Sequence, residues 1–181
     1  MKVPPQDIAG AKKMLADAGF GSGFKATIKT WSSYPFLSNA AIAVQDQLKQ
    51  IGITVDVVQE DNATFIADNN SKNYELLVSG NSGYTDPDAI RGYFYSGLAS
   101  NNTGYSDPEF DKLVDQGVAV TDQNARKQVY AQLQQKLLVD NPWVMLYVGS
   151  QYEAMKSYVK GYIHNATGSN ISLAGTWIDK G

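Results

Sequence analysis

A strand, helix, strand pattern between residues 24 and 58 is the feature that most constrains how this chain folds. Residues 24–30 alternate apolar with polar side chains, which predicts a strand with one buried and one solvent-facing side. The helix that follows, residues 37–50, carries one apolar stripe formed by Leu37, Ala41, Val44, Leu48 and Ile51. Gly52 then ends the helix before a β-branched second strand at residues 53–58. Such a unit forms a parallel strand pair joined by a right-handed crossover.

Neighbouring segments extend this unit into an α/β domain. A helix at residues 7–18 precedes it and stops at Gly19, a residue type that commonly ends helices. A short helix at residues 63–69 and a third strand at residues 74–79 follow it. Because strand and helix alternate, the third strand is expected to join the same parallel sheet.

The second half of the chain begins with a long loop at residues 80–106, rich in Gly, Asn, Ser, Tyr and Asp. Loops of this length inside a compact domain usually carry function. Asp107 then caps a helix, and Thr121 or Asp122 caps a longer one. Beyond these helices we predict three strands, at residues 142–148, 152–159 and 161–164.

Composition excludes several classes of function. The 181 residues carry a net charge of −3, and the basic residues are scattered, so nucleic acid is not expected as a partner. The longest apolar run, residues 143–148, is too short to cross a bilayer, and the first residues lack the apolar core of a signal peptide. With no cysteine and a single histidine, His164, the sequence predicts no metal site and no cofactor.

Two carboxylates, Asp86 and Asp88, flank Pro87 in the long loop. A pair of carboxylates can act as acid and base in glycoside hydrolysis, which makes a small hydrolase one alternative function. Asp-Pro pairs also commonly begin turns, and the same pair recurs at residues 107–108 where it caps a helix. The turn is the favoured interpretation. Loss of hydrolysis in an Asp86→Asn variant would support the enzyme.

Aromatic and amide side chains follow the predicted strands. Trp31 and Tyr34 come after the first strand, Asn62 after the second, and residues 81–84 after the third. Ligands usually bind at the carboxyl ends of parallel strands, so we predict that these residues line one cleft. A second alternative is a stand-alone protein-interaction domain that uses the aromatic loop at residues 81–105.

Five stretches of sequence together resemble one known family: AIAVQDQLKQIGITVDVV, YELLVSG, NSGYTDPDAIRG, TGYSDPEFDKLVDQ and DNPWVMLY. They are similar to the C-terminal part of the extracellular solute-binding proteins of ABC importers, family 5, the oligopeptide, dipeptide and nickel-binding type. The resemblance implies an α/β periplasmic binding protein-like lobe of the large peptide-binding class (type II), with a mixed, mainly parallel sheet and flanking helices. It implies that residues 1–166 are most of the second lobe. Residues 167–181, which lack periodicity, would be a tail returning to the first lobe.

The resemblance also implies a non-enzymatic function. Family members bind a solute between two lobes and deliver it to a membrane permease. The expected partners are therefore a peptide or other small solute, the ABC permease and the missing N-terminal lobe of the same protein. The expected location is the periplasm or the extracellular space, as part of a longer exported protein.

The family's binding positions fall on particular residues of this chain. Peptide binders carry an aspartate for the peptide amine where this chain has Gly83. Dipeptide binders carry an arginine and a tyrosine where it has Trp31 and Ser33, and a tryptophan where it has Asn62. These departures favour a longer peptide held by its backbone, a sugar or an opine-like compound. The predicted ligand-binding residues are Trp31, Ser33, Tyr34, Asn62, Asn81, Gly83, Tyr84 and Asp86.

Overall fold

The computed structural model describes residues 5–81, 84–150, 152–165 and 170–180, which form two compact units, Met1–Gly80 and Asn81–Gly181. The first unit contains, in chain order, α1 (Ile8–Asp17), β1 (Phe24–Trp31), α2 (Pro35–Lys49), β2 (Ile53–Glu60), α3 (Asn62–Ser71) and β3 (Leu76–Val78). The second contains a 3-10 helix (Pro87–Ile90), α4 (Arg91–Phe94), α5 (Pro108–Ala119), α6 (Gln123–Asp140), β4 (Val159–Lys160), a second 3-10 helix (Asn170–Gly175) and β5 (Trp177–Ile178).

The first unit confirms the predicted strand, helix, strand arrangement. Its three strands are parallel in the order β2-β1-β3. The β1–β2 register begins with Phe24 opposite Ile53 and ends with Trp31 opposite Glu60. The carboxyl ends of β1 and β2 therefore lie side by side.

Two glycines bring the starts of these strands together. Gly23, before β1, and Gly52, before β2, have φ angles of +76° and +91°, which side chains other than glycine rarely adopt. A Cβ atom on Gly23 would collide with the carbonyl oxygen of Gly52. The close approach of the two backbones thus requires glycine at residue 23.

The core of the first unit lies on the face of the sheet against α2. It consists of Ile28, Leu37, Ala41, Ile53, Val55 and Val78. The opposite face was predicted to be exposed to solvent, which is wrong at its carboxyl end. There, Phe65 of α3 is buried and Lys29 of β1 is largely covered, because α3 packs on this part of the sheet.

The second unit has its own core between α5 and α6. The buried residues are Phe94, Phe110, Val114, Val129, Tyr130 and Leu133. The predicted cap at Asp107 is confirmed, and of the two candidates for the second helix it is Asp122, not Thr121, that caps it. The carboxylate of Asp107 accepts hydrogen bonds from the amides of Glu109 and Phe110, at 2.8 and 2.9 Å, and Asp122 accepts one from Ala125 at 2.8 Å.

The strands predicted after α6 are largely wrong. In the described part of the chain, residues 142–150 form no strand, and only Val159–Lys160 pairs, antiparallel, with Trp177–Ile178. Residues 144–148 have strong β propensity, but no described strand lies beside them to complete a hydrogen-bonded ladder. The strand predicted at residues 161–164 fails because Gly161 takes a φ of +71° and ends β4.

None of the helices in the described ranges is both long enough and apolar enough to cross a membrane.

Candidate functional site

The carboxyl end of the parallel sheet carries the first group of predicted binding residues. β1 ends at Trp31, which is half-buried, and Ser33 and Tyr34 follow it on the exposed connection to α2. Asn62 is the first residue of α3 and is exposed. The preceding Asp61 caps this helix, and its hydrogen bonds with Thr64 hold the pKa of the Asp61 carboxyl below its usual value.

Aromatic rings form a row at this end of the sheet. Trp31 stacks on Phe65, with ring centroids 4.9 Å apart and an interplanar angle of 15°. Tyr34 meets the indole edge-on at 4.8 Å, and Phe36 lies 5.7 Å beyond Tyr34. Exposure rises along the row, from 1% at Phe65 to 42% at Tyr34 and 53% at Phe36. The outer rings are therefore available for stacking on a ligand.

A charged cluster lies on the same face. Lys29 pairs with Glu60, with 3.2 Å between Nζ and Oε1, and also with Asp68 of α3. The hydrogen bond from Lys29 lowers the pKa of Asp68, and the same bond is the main cause of the raised pKa of Lys29. Asn73 donates a further hydrogen bond of 3.0 Å to Asp68. The cluster ties α3 to β1 and β2.

Three buried polar atoms near this end have no hydrogen-bond partner among the described residues. They are the hydroxyl oxygen of Thr30, the indole nitrogen of Trp31 and Oε2 of Glu60. Buried polar atoms are usually paired, so each of them calls for an explanation.

The second group of predicted residues lies in the second unit. Tyr93 donates its hydroxyl hydrogen to Oδ1 of Asn81 at 3.2 Å, and the hydroxyl groups of Tyr84 and Tyr93 are hydrogen-bonded to each other. Burial raises the pKa of Tyr93, and its bond with Tyr84 adds to that effect. A shallow depression of about 390 Å³ lies beside them, lined by Tyr84, Thr85, Asp86, Asp88 and Ala89.

Asp86 is held in place by two contacts. Its Oδ1 accepts hydrogen bonds of 2.8 Å from the amide of Asp88 and from the guanidinium of Arg126. The bond from Arg126 is the main reason why the pKa of Asp86 is lowered. A general acid at neutral pH needs a raised pKa, so Asp86 does not suit that role.

The other rings of the long loop mostly point into the second unit. Phe94 is buried, and Tyr95 and Tyr105 are half-buried, with hydrogen bonds from their hydroxyl groups to Asp115 at 3.1 Å and Asp140 at 2.5 Å. Tyr84 is the ring of this loop that is mainly exposed among those described. The loop therefore offers little aromatic surface to a protein partner.

Of the predicted binding residues, Trp31, Ser33, Tyr34 and Asn62 belong to the first unit, and Asn81, Tyr84 and Asp86 to the second. Gly83 lies outside the described residues. That the two groups line one cleft stays a prediction.

Sequence reasoning missed three residues of these surroundings, namely Glu60, Phe65 and Arg126. Glu60 could have been recognised from the sequence, because it is a charged residue at the end of a strand rich in β-branched residues. Nothing in the local pattern indicated the contact between Arg126 and Asp86, which are 40 residues apart in sequence.

The parallel sheet, the flanking helices and the aromatic row define an α/β lobe of the periplasmic binding protein type. Residues 2–102 match the family described as Bacterial extracellular solute-binding proteins, family 5 Middle. The chain belongs to this family.

Similar proteins cover nearly all of the chain. The oligopeptide-binding protein AppA of Bacillus subtilis is 28% identical over 186 residues, which are 94% of this chain and 34% of AppA. The solved structure of AppA with a nonapeptide has a TM-score of 0.87 at 27% identity, over 99% of this chain and 39% of that one. The chain therefore spans about a third of the length of this relative.

Two further structures show the range of solutes in similar proteins. Haemophilus influenzae OppA in complex with RPPGFSPFR has a TM-score of 0.81 at 25% identity, over 96% of this chain and 35% of OppA. AgaA of A. tumefaciens R10 in complex with agropinic acid has a TM-score of 0.66 at 32% identity, over 72% of this chain and 28% of AgaA.

Proposed function

We propose that this chain is one lobe of the solute-binding component of an ABC importer, and that it binds a peptide or similar small solute for delivery to the permease. The observation that carries the proposal is the exposed aromatic row at the carboxyl end of the parallel sheet, where α/β proteins bind ligands. Family membership and the similarity to AppA with its nonapeptide support it.

The mechanism follows from binding alone. A solute that contacts two lobes stabilises their closed arrangement, and the closed form docks on the permease. No bond is made or broken in this process. The protein would work in the periplasm or outside the cell, as part of a longer exported chain.

The C-terminal region supports the need for a second lobe. Between residues 144 and 178, large apolar side chains are exposed, among them Val144, Met145, Val148, Tyr152, Ile163 and Ile171. Soluble proteins seldom expose so many apolar side chains in one stretch unless another surface covers them. The first lobe of the same protein would provide that cover.

The site favours a solute held by stacking and hydrogen bonds. Gly83 stands where peptide binders of the family carry an aspartate, and Trp31 where dipeptide binders carry an arginine. The rings of Tyr34 and Phe36 are free to stack on a solute. A longer peptide held by its backbone fits these features, and a sugar or an opine-like compound is the alternative.

Calorimetric titration of the 181-residue chain with the peptide RPPGFSPFR tests the proposal. We expect measurable but weak binding, because one lobe offers about half of the contacts. A Tyr34→Ala variant should bind more weakly by about 1 kcal/mol, the usual contribution of an aromatic contact. Tyr152→Ala, which removes an exposed ring outside the site, is the matched control.

Two results would count against the proposal, and a third would identify the class of solute. Sub-micromolar binding by this chain alone would contradict a site divided between two lobes. Equal losses in the Tyr34→Ala and Tyr152→Ala variants would place binding elsewhere. Absence of binding to the peptide, with binding to a sugar or agropinic acid, would exclude the peptide and leave a solute-binding lobe.

A further inference from the structure

The turn at residues 86–88 is attached to α6 through both of its carboxylates. The guanidinium of Arg126 donates to Oδ1 of Asp86 at 2.8 Å, and the hydroxyl of Tyr130 donates to Oδ1 of Asp88 at 3.2 Å. Arg126 also donates to the hydroxyl oxygen of Tyr130 at 3.3 Å and lies over its ring. Because the amide of Asp88 donates to Asp86, the four residues form a closed ring of contacts.

Arg126 is itself fixed by the core of the second unit. Its Nε donates to the carbonyl oxygen of Gly117 in α5 at 2.9 Å. The ring of Tyr130 is buried and covers Gly117 so closely that a Cβ atom there would lie 2.9 Å from the ring. The planar guanidinium therefore contacts α5, Tyr130 and the turn at once, in a geometry that a lysine side chain cannot reproduce. The core of this unit thus determines where the Asp86 carboxylate lies.

The turn carries the exposed ring of Tyr84. Tyr84 lies two residues before Asp86 and is 56% exposed. Its hydroxyl is hydrogen-bonded to that of Tyr93, and the two ring centroids are 5.9 Å apart. One end of the Tyr84 side chain is therefore attached to α4, and its backbone is attached, two residues later, to α6. These two attachments hold the ring beside the shallow depression at residues 84–89.

Asp86 differs from a carboxylate that is available to a solute. Its Oδ1 accepts from both Arg126 and the amide of Asp88, and the bond with Arg126 holds the pKa of Asp86 below its usual value. The side chain of Asp86 is 56% exposed, and that of Arg126 is 28% exposed. An ion pair with this exposure contributes little to the free energy of unfolding. Its main effect is therefore expected on the order of the loop.

We propose that Arg126 is a positioning residue for solute binding. Through Asp86, it holds the loop at residues 84–89 so that the ring of Tyr84 is presented to the solute, and Asp86 acts through Arg126 rather than by contacting the solute. This inference rests on the proposed function and on the predicted contact between Tyr84 and the solute. An ordered loop loses less conformational freedom on binding, so the same contacts give a higher affinity.

A double-mutant cycle tests the inference. The unchanged chain, Arg126→Gln, Asp86→Asn and the double variant are each titrated with RPPGFSPFR. Affinity is taken from the shifts of the ¹H–¹⁵N amide signals, and that of Tyr84 reports contact at the loop. We expect Arg126→Gln to weaken binding about tenfold, as is typical when a coupled pair is broken. Asp86→Asn should have a smaller effect, because its side-chain oxygen still accepts hydrogen bonds. The double variant should bind no more weakly than Arg126→Gln alone.

The matched control is Lys127→Gln, which removes one positive charge from the neighbouring, exposed residue of α6. We expect it to bind like the unchanged chain. Urea unfolding establishes that each variant is folded under the conditions of the titration. A loss of affinity in Arg126→Gln alone then belongs to the contacts of Arg126 and not to the charge of the helix.

A measurement without solute tests the same loop. In Arg126→Gln, the ¹H–¹⁵N heteronuclear NOE of Tyr84, Thr85 and Ala89 should fall, while that of α5 should not change. The carboxyl ¹³C signal of Asp86 should titrate at a higher pH than in the unchanged chain, because the guanidinium no longer lowers the pKa of Asp86. Asp86→Asn should loosen the loop as well, so the test remains decisive if Arg126→Gln does not fold.

The outcomes distinguish this inference from the proposed function. If the two single losses multiply in the double variant, Asp86 contacts the solute itself and the positioning role is wrong. The role is also wrong if Arg126→Gln binds like Lys127→Gln, if its loop stays as ordered as in the unchanged chain, or if the peptide binds without a shift at Tyr84. In each of these cases solute binding stands. If RPPGFSPFR does not bind to the unchanged chain, the inference and the proposed binding of a peptide are both overturned.

Discussion

The sheet of the first unit and the C-terminal segment at residues 144–180 are both rich in apolar side chains, but they use them in opposite ways. Ile28 of β1 is 1% exposed, whereas Ile163 in the C-terminal segment is 73% exposed. In the sheet, the period of two in the strands and the helical stripe of α2 bring apolar faces together. The C-terminal segment has no described element with a matching face.

The difference shows that apolar content predicts a core only when a partner with the right period lies in the same chain. Residues 144–148 have the composition of a buried strand, yet they remain exposed. The apolar side chains of the sheet therefore have partners within the first unit. Under the proposed function, a second lobe would cover those of the C-terminal segment.

The largest test of this contrast is a matched pair of isoleucine substitutions. Ile28→Ala should lower the free energy of unfolding by about 2–5 kcal/mol, because it removes buried apolar volume. Ile163→Ala should change it by less than about 0.5 kcal/mol, because its side chain is already exposed. Urea unfolding followed by circular dichroism measures both, and a comparable loss in the two variants would show that the C-terminal segment contributes to the core.

A second test concerns the glycine at the start of the sheet. Gly23→Ala should lower the free energy of unfolding by about 2–4 kcal/mol. The alanine would have to adopt a left-handed backbone conformation, and its Cβ would collide with the carbonyl oxygen of Gly52. Gly19→Ala is the matched control, since Gly19 has a φ of +86° but nothing within 4 Å of the added Cβ. It should cost only about 1 kcal/mol. If urea unfolding shows equal losses of stability in the Gly23→Ala and Gly19→Ala variants, the close approach of residues 23 and 52 does not contribute to stability.

A smaller effect is expected from pH. In the folded state the pKa of Asp68 is lowered, chiefly by its hydrogen bond with Lys29. The carboxylate therefore stabilises the first unit at pH values above its unfolded pKa of about 3.9. That stabilisation is lost as the pH falls below this value toward the folded pKa. In Asp68→Asn, urea unfolding should depend less on pH between about pH 5 and pH 2 than in the unchanged chain. If the free energy of unfolding depends on pH equally in the variant and the unchanged chain, Asp68 does not contribute to the loss of stability in acid.

Local patterns were sufficient to predict the strand, helix, strand unit, the ends of α1 and α2, and the cap at Asp107, and they narrowed the cap of α6 to Thr121 or Asp122. Each of these depends on residues close together in sequence. The cluster of Lys29, Glu60 and Asp68 was not predicted, because strand pairing and the packing of α3 bring it together over 39 residues. The C-terminal strands were overpredicted because β propensity does not supply a pairing partner.

The site shows the same limit. The sequence correctly placed Trp31, Tyr34 and Asn62 at the carboxyl ends of strands, since topology alone determines that position. It did not reveal that Tyr95 and Tyr105 are used for packing and hydrogen bonding, because aromatic residues in a loop look alike whether they point inward or outward.

Amide mapping by ¹H–¹⁵N NMR with RPPGFSPFR tests whether the aromatic row at the carboxyl end of the sheet binds a solute. We expect shifts at Trp31, Tyr34 and Asn62, with little change along α5 and α6. Shifts located mainly in residues 144–165, with none at the carboxyl end of the sheet, would show that the solute binds elsewhere.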